Sequence, residues 1–576
     1  MGKRSAPHLD PRTRERGTLR KRWAGLLPVA LLFPNRYGLG NSNLGFQLVY
    51  ALVNRLPGVV CERFFIAEGE GLPLSFESRR PLRDFPIVLC SLSFEQDFAN
   101  LVSMLVAGGI EPLAEHRTNG EVTFGVGRPL IIGGGVATMI NPEPLAPFID
   151  LFVIGEAEPV LARLMDFLAA ELSRIPGREL LLELASNWPG CYVPSLYVMR
   201  YGQDGLLNSI EPHANVPSRV RRLVLEETAV AGHSKLLSPD AEFADLFLAE
   251  LGRGCSRGCR FCAAGFVYRP PRLWPVESIL AALAERPTDI QRVGLLGMEM
   301  AKSEDLVRIA ERMLADGCSL SFSSLRADAI TEELCRLLAA SKLKSAAIAP
   351  DGGSERLRGV INKGITENDV LQAAEALVRA GISHLKLYFM IGLPTETDGD
   401  MDELLALVNK VHQVLLGIGR GRGRMSNITL SVNSFVPKAW TPFQFHAMAP
   451  LTVLKKRIQI LRRGVAAQAN TRLSVDQPGM AFFQATLARG DRRVGRVLLD
   501  LLDRKSGWRQ VMREAGIFPE QYAMRQRGRQ EVMPWEIIDH GMSREYLWAE
   551  YQRSMDGRRT NACEPQTCRR CGVCHD

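Results

Sequence analysis

The chain has 576 residues, of which 46% are hydrophobic and 23% are charged, and its formal net charge is +8. These values are ordinary for a globular protein, and the length predicts two to four domains rather than one core. The best apolar run, residues 26–33, is far shorter than the roughly 20 residues of a membrane span, so neither a span nor a signal peptide is predicted.

The cysteines are clustered along the chain. Three of the twelve fall within residues 255–262, and four more lie within residues 563–574. Clustering of this kind in a long chain favours metal or cluster binding in a reducing cytoplasm over a disulfide framework. We therefore expect a cytoplasmic protein with bound metal.

Residues 1–22 are strongly basic and hold eight lysines and arginines. Such a segment predicts a disordered arm, which either binds nucleic acid or is simply solvated. From residue 23 to 175, short apolar runs alternate with amphipathic stretches. Strands are predicted over residues 26–33, 59–65, 86–92, 129–132 and 148–154, and helices over residues 45–56, 94–107 and 159–172. The alternation predicts an α/β domain with a parallel, flavodoxin- or Rossmann-like sheet.

Small polar residues and glycines follow two of these strands. Ser91 and Ser93 end one strand, and Gly133 and Gly134 end another. Ligands of such sheets bind beyond the carboxyl ends of the strands, and glycine lets a phosphate or nucleotide loop approach the backbone closely. Gly133 and Gly134 are therefore predicted to contact a cofactor, whereas Ser91 and Ser93 are predicted contacts through the resemblance of this domain to a known family, given below.

Residues 176–240 are predicted to be a connector with strand hairpins, and a second alternating region covers residues 241–445. Its predicted strands are residues 246–251, 292–296, 319–324, 345–349, 385–391 and 428–434, with helices between them. Six such units suffice for a partial TIM-type (βα)6 barrel, whose active site would lie at the carboxyl ends of the strands. Residues 446–555 are predicted to be mainly helical, and residues 556–576 form a cysteine-rich tail.

Three cysteines follow the first strand of the second region with the spacing Cys-x3-Cys-x2-Cys. They are Cys255, Cys259 and Cys262. A cubane iron–sulfur cluster has four iron corners, so three thiolates leave one iron open to bind a small molecule. Zinc, the alternative, prefers four ligands, and no fourth cysteine lies near this run.

The cysteine motif resembles that of the radical S-adenosylmethionine (radical SAM) superfamily. The resemblance implies a 4Fe-4S cluster at the three cysteines and S-adenosylmethionine bound at the open iron. It also implies reductive cleavage of S-adenosylmethionine to a 5′-deoxyadenosyl radical that attacks an unreactive C–H bond. An electron donor of the flavodoxin or ferredoxin type would supply the electron.

Other strand ends of the barrel resemble the superfamily's S-adenosylmethionine site. Gly297, Met298 and Glu299 resemble its Gly-Gly-Glu motif, with methionine in place of one glycine. Gly392, Pro394 and Glu396 belong to a segment that resembles Gly-Leu-Pro-Gly-Glu-Thr. The side chains of Ser324, Arg326, Asp351 and Arg356 offer hydroxyls, an acid and guanidinium forks that suit a carboxylate or a ribose. With Phe261, which precedes the third cysteine, these residues are the predicted cofactor contacts.

The N-terminal domain, residues 23–175, resembles the cobalamin-binding domain found ahead of many radical SAM enzymes, in a family that is uncharacterised. The usual Asp-x-His-x-x-Gly cobalt-ligand motif should follow the first strand, but residues 35–41 contain no histidine. Imidazole is the ordinary lower ligand. The domain therefore either binds cobalamin without a protein histidine on cobalt, or has lost the cofactor and shapes the substrate cleft.

Four cysteines crowd the C-terminus with spacings of four, two and two residues. They are Cys563, Cys568, Cys571 and Cys574. Four thiolates can fill all corners of a second 4Fe-4S cluster, and the spacing is closer to ferredoxin runs than to paired zinc knuckles. A four-thiolate zinc site is the alternative.

The leading functional prediction is a radical SAM enzyme that carries out a cobalamin-dependent type of methyl transfer. One alternative is a methylthiotransferase-like or other radical modification of RNA or peptide without cobalamin. Another is a non-catalytic iron–sulfur or nucleic-acid-binding protein. Basic clusters at residues 420–424, 455–463 and 489–496 would suit nucleic acid, although solvated helix faces have the same composition. The substrate, whether RNA, peptide or small metabolite, is not readable from the sequence.

Overall fold

The structure, a computed structural model, describes residues 10–66, 71–118, 121–213, 215–298, 303–423, 425–504 and 506–574. Two α/β units follow each other along the chain, and a mainly helical C-terminal region packs against both. None of the described helices is long and apolar enough to cross a membrane.

The N-terminal unit is a six-stranded sheet with helices on both faces. Its strands are β1 (Leu27–Leu32), β2 (Val59–Phe64), β3 (Ile87–Ser91), β4 (Leu130–Gly134), β5 (Leu151–Val153) and β6 (Cys191–Tyr192). Its helices are α1 (Tyr37–Gly40), α2 (Leu44–Arg55), α3 (Asp97–Ala107), α4 (Ala114–Arg117), α5 (Val136–Ile140), α6 (Leu161–Glu171) and α7 (Gly177–Asn187). The strand order is β2-β1-β3-β4-β5-β6, parallel except for β6. This order, extended by β6, confirms the predicted flavodoxin-like sheet.

The connector contains an antiparallel hairpin, β7 (Tyr197–Tyr201) with β8 (Leu207–Pro212), and the short strand β9 (Val220–Arg221). Strands β10 (Phe247–Glu250), β11 (Gly252–Arg253), β12 (Arg272–Leu273), β13 (Arg292–Leu296), β14 (Ser319–Phe322), β15 (Ser345–Asp351), β16 (His384–Ile391), β17 (Asn427–Ser434) and β18 (Thr471–Val475) follow. The helices of this region are α8 (Ala264–Val267), α9 (Val276–Ala284), α10 (Ser303–Ala315), α11 (Glu332–Ala340), α12 (Glu355–Val360), α13 (Glu367–Arg379), α14 (Asp398–Arg422) and α15 (Leu451–Ala466).

The second unit is an open parallel barrel. One arc has the order β10-β13-β14 and the other β15-β16-β17-β18, and a parallel bridge between Leu325 and Ile348 joins them. Side chains alternate along β16, so that Leu385 and Leu387 pack into the core while Tyr388 and Met390 point to the barrel interior. All six predicted strands are present. The structure adds a seventh, β18, within the region that the sequence predicted to be helical.

The C-terminal region contains α16 (Pro478–Ala488), α17 (Arg492–Asp503), α18 (Trp508–Glu514), α19 (Pro519–Ala523), β19 (Ile538–Asp539) and α20 (Arg544–Met555). Strand β19 pairs with β9 of the connector. Single 3-10 turns occupy Pro11–Thr13, Leu82–Asp84, Glu143–Leu145, Pro194–Leu196, Ala327–Ala329, Pro442–Phe445 and Pro534–Ile537. The region also contacts the N-terminal unit, where the Asn141 side chain donates to the carbonyls of Ala488 and Gly490.

The prediction of a disordered arm over residues 1–22 is wrong for residues 10–22. The Glu15 carboxylate is fully buried in an ion pair with Arg63, which also pairs with Glu77 at 2.6 Å. Backbone bonds in both directions join Arg16 to Leu237 of the connector. The count of basic residues could not show that residues 10–22 are ordered, because it is the buried acidic residue Glu15 that fixes this segment on the N-terminal unit.

Candidate active site

The three cysteines of the second unit lie on the loop that follows β10 and β11. Gly254 and Gly258 have φ angles of +84° and +69°, and a Cβ on Gly254 would come within 2.6 Å of the Tyr268 carbonyl oxygen. Glycine is therefore needed where the loop turns. Cys255, Cys259 and Cys262 are all partly buried, and the charges of Cys259 and Cys255 both act on the Cys262 thiol. The structure thus gathers the predicted triad in one loop.

Two cations face this loop from the neighbouring barrel segments. Burial raises the pKa of the Cys259 thiol, and the positive charges of Lys363 and Arg326 oppose that rise. Arg326 donates to the backbone carbonyl of Lys363 at 2.7 Å, and the Lys363 ammonium lies 2.6 Å from the carboxylate of Asp351. Arg326 and Asp351, both predicted, therefore form one network beside the triad.

The donor set fits a cubane cluster with one open iron. Three thiols lie in one loop, and the positive charges of Lys363 and Arg326 are near enough to balance the negative charge of thiolates bound to iron. In the part of the chain that the structure describes, no three His, Cys, Asp or Glu side chains converge as ligands of a single metal ion do.

A cavity of about 620 Å³ opens beside the triad in the barrel interior. Three predicted residues, Phe261, Ser324 and Asp351, line it. The remaining lining is about half polar, and its polar side chains include Tyr388, Asn433, Lys438, Asp476 and Gln484. Helix α16 and Gln96 of the N-terminal unit complete the wall, so all three parts of the chain contribute to this cavity.

Three of the predicted cofactor contacts are held by other side chains and line neither of the two large cavities. Arg326 donates two hydrogen bonds of 2.9 Å to Asp328. Arg356 is half exposed and donates to Thr395 and Asp400. Glu396 accepts a hydrogen bond from the Gly392 amide at 2.5 Å and is buried against Arg457, and its burial raises its pKa to about 7.

The other predicted contacts of these two segments have separate outcomes. Gly392 has a φ of +81° and forms the tight turn after β16, and Pro394 follows in the same turn. The Gly297 carbonyl accepts from Ser323, and Met298 lines the second cavity described below. Glu299 lies outside the described residues.

A second cavity, of about 340 Å³, lies where the carboxyl edge of the N-terminal sheet faces the barrel. All four residues predicted there, Ser91, Ser93, Gly133 and Gly134, line it. A Cβ on Gly133 would lie 2.7 Å from the ring of Phe152, so packing alone requires glycine at that position. A Cβ on Gly134 would meet only the Val153 carbonyl oxygen, at 3.8 Å, so this residue leaves the cavity open.

The barrel closes the far side of this second cavity. Arg253, two residues before Cys255, lines it and pairs with Glu156 at 3.2 Å, Glu158 at 2.7 Å and Glu250 at 3.0 Å. Glu156 also accepts two bonds from Arg272. The segment containing Glu156 and Glu158 therefore joins the N-terminal unit to the triad loop through ion pairs.

The residues around the second cavity fit part of a corrinoid. Leu31, Leu89, Ile132 and Val153 give it an apolar wall against the sheet, and helices α2 and α6 form the opposite wall. A cavity of this size holds a drug-sized fragment rather than a whole corrin ring. None of the described lining residues is a histidine, which agrees with the missing cobalt-ligand motif.

The segment that carries the four C-terminal cysteines contacts the triad loop. The Cys563 amide donates to the carbonyl of Ser256 at 2.7 Å. Cys563 and Cys571 are buried and Cys568 and Cys574 partly buried, and the Cys563 thiol interacts with those of Cys568 and Cys574. The two predicted cysteine sets are therefore neighbours, which sequence reasoning did not foresee.

Three functional residues were missed by sequence reasoning: Lys363, Arg253 and Arg260. Lys363 sits in a turn after α12, where nothing local marks it as a neighbour of a cysteine more than 100 residues earlier. Arg253 lies two residues before the first cysteine of the triad, and Arg260 lies between the second and the third. This closeness to the cysteine motif was the one available signal. Arg260 is fully buried and bonds to Glu550 and to the carbonyls of Val360 and Arg558.

Comparison with known proteins gives two family-model matches. The family model described as "Radical SAM proteins, N-terminal" matches residues 45–194, and that of the radical SAM superfamily matches residues 249–408. An uncharacterized protein of Methanocaldococcus jannaschii is 26% identical over 472 residues, which is 82% of this chain and 90% of that protein.

Two further proteins show more limited similarity. The tRNA-2-methylthio-N(6)-dimethylallyladenosine synthase of Hahella chejuensis is 26% identical over 193 residues, which cover 31% of this chain and only 43% of the synthase. A structure of the radical S-adenosylmethionine methyltransferase TsrM from Kitasatospora setae, with cobalamin and a 4Fe-4S cluster bound, has a TM-score of 0.51 and 14% identity. It covers 85% of this chain and 99% of TsrM. At that identity the likeness concerns the fold.

Proposed function

Because the chain belongs to the radical SAM superfamily, we propose that it catalyses methyl transfer to an unreactive carbon, with cobalamin held in the second cavity. A 4Fe-4S cluster on Cys255, Cys259 and Cys262 would supply the electron that cleaves S-adenosylmethionine to a 5′-deoxyadenosyl radical. The observation that carries the proposal is that residues next to the triad line both cavities: Phe261 lines the cavity in the barrel interior, and Arg253 lines the one at the edge of the N-terminal sheet.

The chain's own groups have distinct tasks in this proposal. Arg326 lies beside the triad, but two hydrogen bonds of 2.9 Å to Asp328 already engage its guanidinium, so its task would be to balance the negative charge of the cluster rather than to bind a carboxylate. Asp351, which pairs with Lys363, lines the cavity in the barrel interior, where its carboxyl group suits an amino group or ribose hydroxyls. Phe261 and Ser324 line the wall nearest the triad, and the polar residues farther from it would bind the substrate.

Cobalamin would bind in the second cavity without a protein imidazole on cobalt. At the sheet edge, cobalamin would contact Ser91, Ser93 and the open backbone at Gly134. The apolar space lined by α2 and α6 would hold a less polar part of the cobalamin molecule. Arg253 and Met298, which both belong to the barrel unit, line this cavity, so a methyl group carried there would face the barrel.

The C-terminal cysteines would hold a second 4Fe-4S cluster, with zinc as the alternative. Four thiolates fill all four corners of a cubane, and the exposed Arg570 donates to the Cys568 sulfur at 3.3 Å, where it would balance the negative charge of the cluster. An acidic reductant of the flavodoxin or ferredoxin type would be the partner. The similarity to a tRNA-modifying synthase over 193 residues favours one other candidate, a radical modification of RNA without cobalamin.

Metal analysis with product identification tests the proposal. Protein reconstituted without oxygen and supplied with hydroxocobalamin should hold about eight irons, as two cubanes require, and stoichiometric cobalt. Turnover should then produce S-adenosylhomocysteine as well as 5′-deoxyadenosine, because methyl transfer leaves S-adenosylhomocysteine behind. Protein that cleaves S-adenosylmethionine but binds no cobalt would exclude cobalamin-dependent methyl transfer. Because methylthio transfer would also leave S-adenosylhomocysteine, the cobalt content rather than this product separates the proposal from the RNA-modifying alternative.

A further inference from the structure

The C-terminal tail, residues 556–574, docks on the loop that carries the catalytic triad. Arg260 donates to the Arg558 carbonyl at 2.7 Å, and the Cys563 amide donates to the Ser256 carbonyl at 2.7 Å. Between them, the Asn362 side chain donates to the carbonyls of Gly258 and Thr560 and accepts from the Thr560 amide at 2.9 Å. Three separate contacts therefore fix the tail to the triad loop.

The four tail cysteines form one group beside this junction. Cys563 interacts with Cys568 and Cys574, and Cys574 interacts with Cys571 and Cys568. A small gap lined by Gly258, Asn362, Cys563 and Cys568 lies between the triad loop and the tail. The far end of the tail is fixed as well, because the Cys571 carbonyl accepts from the Ser543 amide at the start of α20. A cluster on these thiols would lie next to the triad cluster.

The outer surface of the tail is basic. Within residues 556–574 four exposed arginines, Arg558, Arg559, Arg569 and Arg570, outnumber the two acidic residues, Asp556 and Glu564. Arg558 pairs with Asp556 at 2.6 Å and Arg559 lies 3.9 Å from Glu355, whereas Arg569 and Arg570 have no carboxylate partner among the described residues. Complementary charge speeds the encounter of two proteins and orients them. A basic rim around a cysteine group suits an acidic partner, and flavodoxins and ferredoxins are acidic electron carriers.

We propose that the tail is the electron entry of the enzyme: an acidic one-electron donor docks on the arginine rim and reduces the tail cluster, which passes the electron to the triad cluster. The proposal rests on the proposed function, including the second cluster. The donor is oxidised by one electron, no bond forms or breaks during the transfer, and the electron is finally consumed in cleaving the sulfonium of S-adenosylmethionine. A cluster with four thiolates suits this task, because none of its irons is open to a substrate.

The test follows reduction of the triad cluster without S-adenosylmethionine, so that it does not depend on turnover. Wild type, Cys568→Ala and the control Cys335→Ala, whose cysteine lies on α11 away from both sets, are reconstituted and their iron and zinc measured. Bleaching of the visible absorbance is then timed with reduced flavodoxin and, separately, with titanium(III) citrate. In Cys568→Ala, iron should fall to about four per chain. Reduction by flavodoxin should slow at least about tenfold, or about 1.4 kcal/mol of activation free energy.

A second variant guards against misfolding of the first. Arg569→Glu keeps all four cysteines, and it should slow reduction by flavodoxin while leaving the iron content and the titanium(III) citrate rate unchanged. Equal flavodoxin rates in wild type and both variants, or stoichiometric zinc in the wild-type tail, would overturn the proposal. Failure of the proposed function is distinguishable, since flavodoxin would then still reduce wild type faster than both variants, although wild type binds no cobalt or leaves S-adenosylmethionine intact.

Discussion

Replacing Arg260 with methionine tests whether one buried guanidinium holds the C-terminal tail on the triad loop. The Arg260 side chain is fully buried, and it donates to Glu550, to the Val360 carbonyl and to the Arg558 carbonyl. Glu550 is itself only 4% exposed. Removing one partner of a buried ion pair costs about 3–5 kcal/mol, because the other charge stays buried without compensation. The methionine would preserve most of the apolar stem, so the loss would come from the lost polar contacts.

Denaturant unfolding of the metal-free protein, combined with limited proteolysis of residues 556–574, measures this effect. Arg260→Met should lower the free energy of unfolding by about 3–5 kcal/mol and expose the tail to protease. Arg553→Met is the matched control, because Arg553 approaches the same Glu550 at 3.8 Å but is half exposed. It should change stability by no more than about 0.5 kcal/mol. An Arg260→Met protein that unfolds like wild type, with its tail still protected, would refute the reasoning.

Three further changes test other parts of the structure. Gly134→Leu should weaken cobalamin binding at least about tenfold, or about 1.4 kcal/mol, because the leucine side chain would fill the second cavity. Gly58→Leu is the control, since Gly58 lies on open surface at the opposite edge of the sheet. Undiminished cobalt in Gly134→Leu would count against cobalamin binding at this site. Burial raises the pKa of Asp97 from 3.8 to about 6, so the folded chain favours the protonated carboxyl group. The contribution of Asp97 to the free energy of unfolding therefore falls as the pH rises from about 3.8 to about 6. Asp97→Asn should therefore be more stable than wild type above pH 6, by up to about 3 kcal/mol in denaturant unfolding, whereas a constant difference at every pH would disprove this. Glu156→Gln should cost about 3 kcal/mol by leaving buried arginines underpaired, and unchanged unfolding would show that these ion pairs do not join the two units.

The sequence predicted the architecture well because apolar periodicity is a local property. Every predicted strand of the sheet and the barrel is present, and the triad loop lies at the expected strand end. Strand β18 was missed because its five residues lie at a sheet edge and none of them is fully buried. So short a pattern between two helices carries almost no periodic signal.

The sequence could not predict which residues that are distant along the chain pair with each other. Arg260 and Glu550 are separated by 290 residues, and nothing near either residue identifies the other. Arg356 looked like a cofactor contact because it follows a barrel strand, but its guanidinium is held by Thr395 and Asp400. Glu15 looked like part of a solvated arm, whereas Arg63 draws it into the interior. In each case the partner's position in space, rather than the residue type, decides the role.

Product analysis of S-adenosylmethionine cleavage tests the central claim most directly. Reconstituted wild type and Cys259→Ala would be incubated with S-adenosylmethionine and titanium(III) citrate, and 5′-deoxyadenosine would be quantified, with Cys335→Ala as the control. Wild type and Cys335→Ala should both form 5′-deoxyadenosine and Cys259→Ala should form none, because the triad then lacks one of its three thiolates. Formation of 5′-deoxyadenosine by Cys259→Ala, or its absence from iron-loaded wild type, would contradict the assignment of the triad as the catalytic centre.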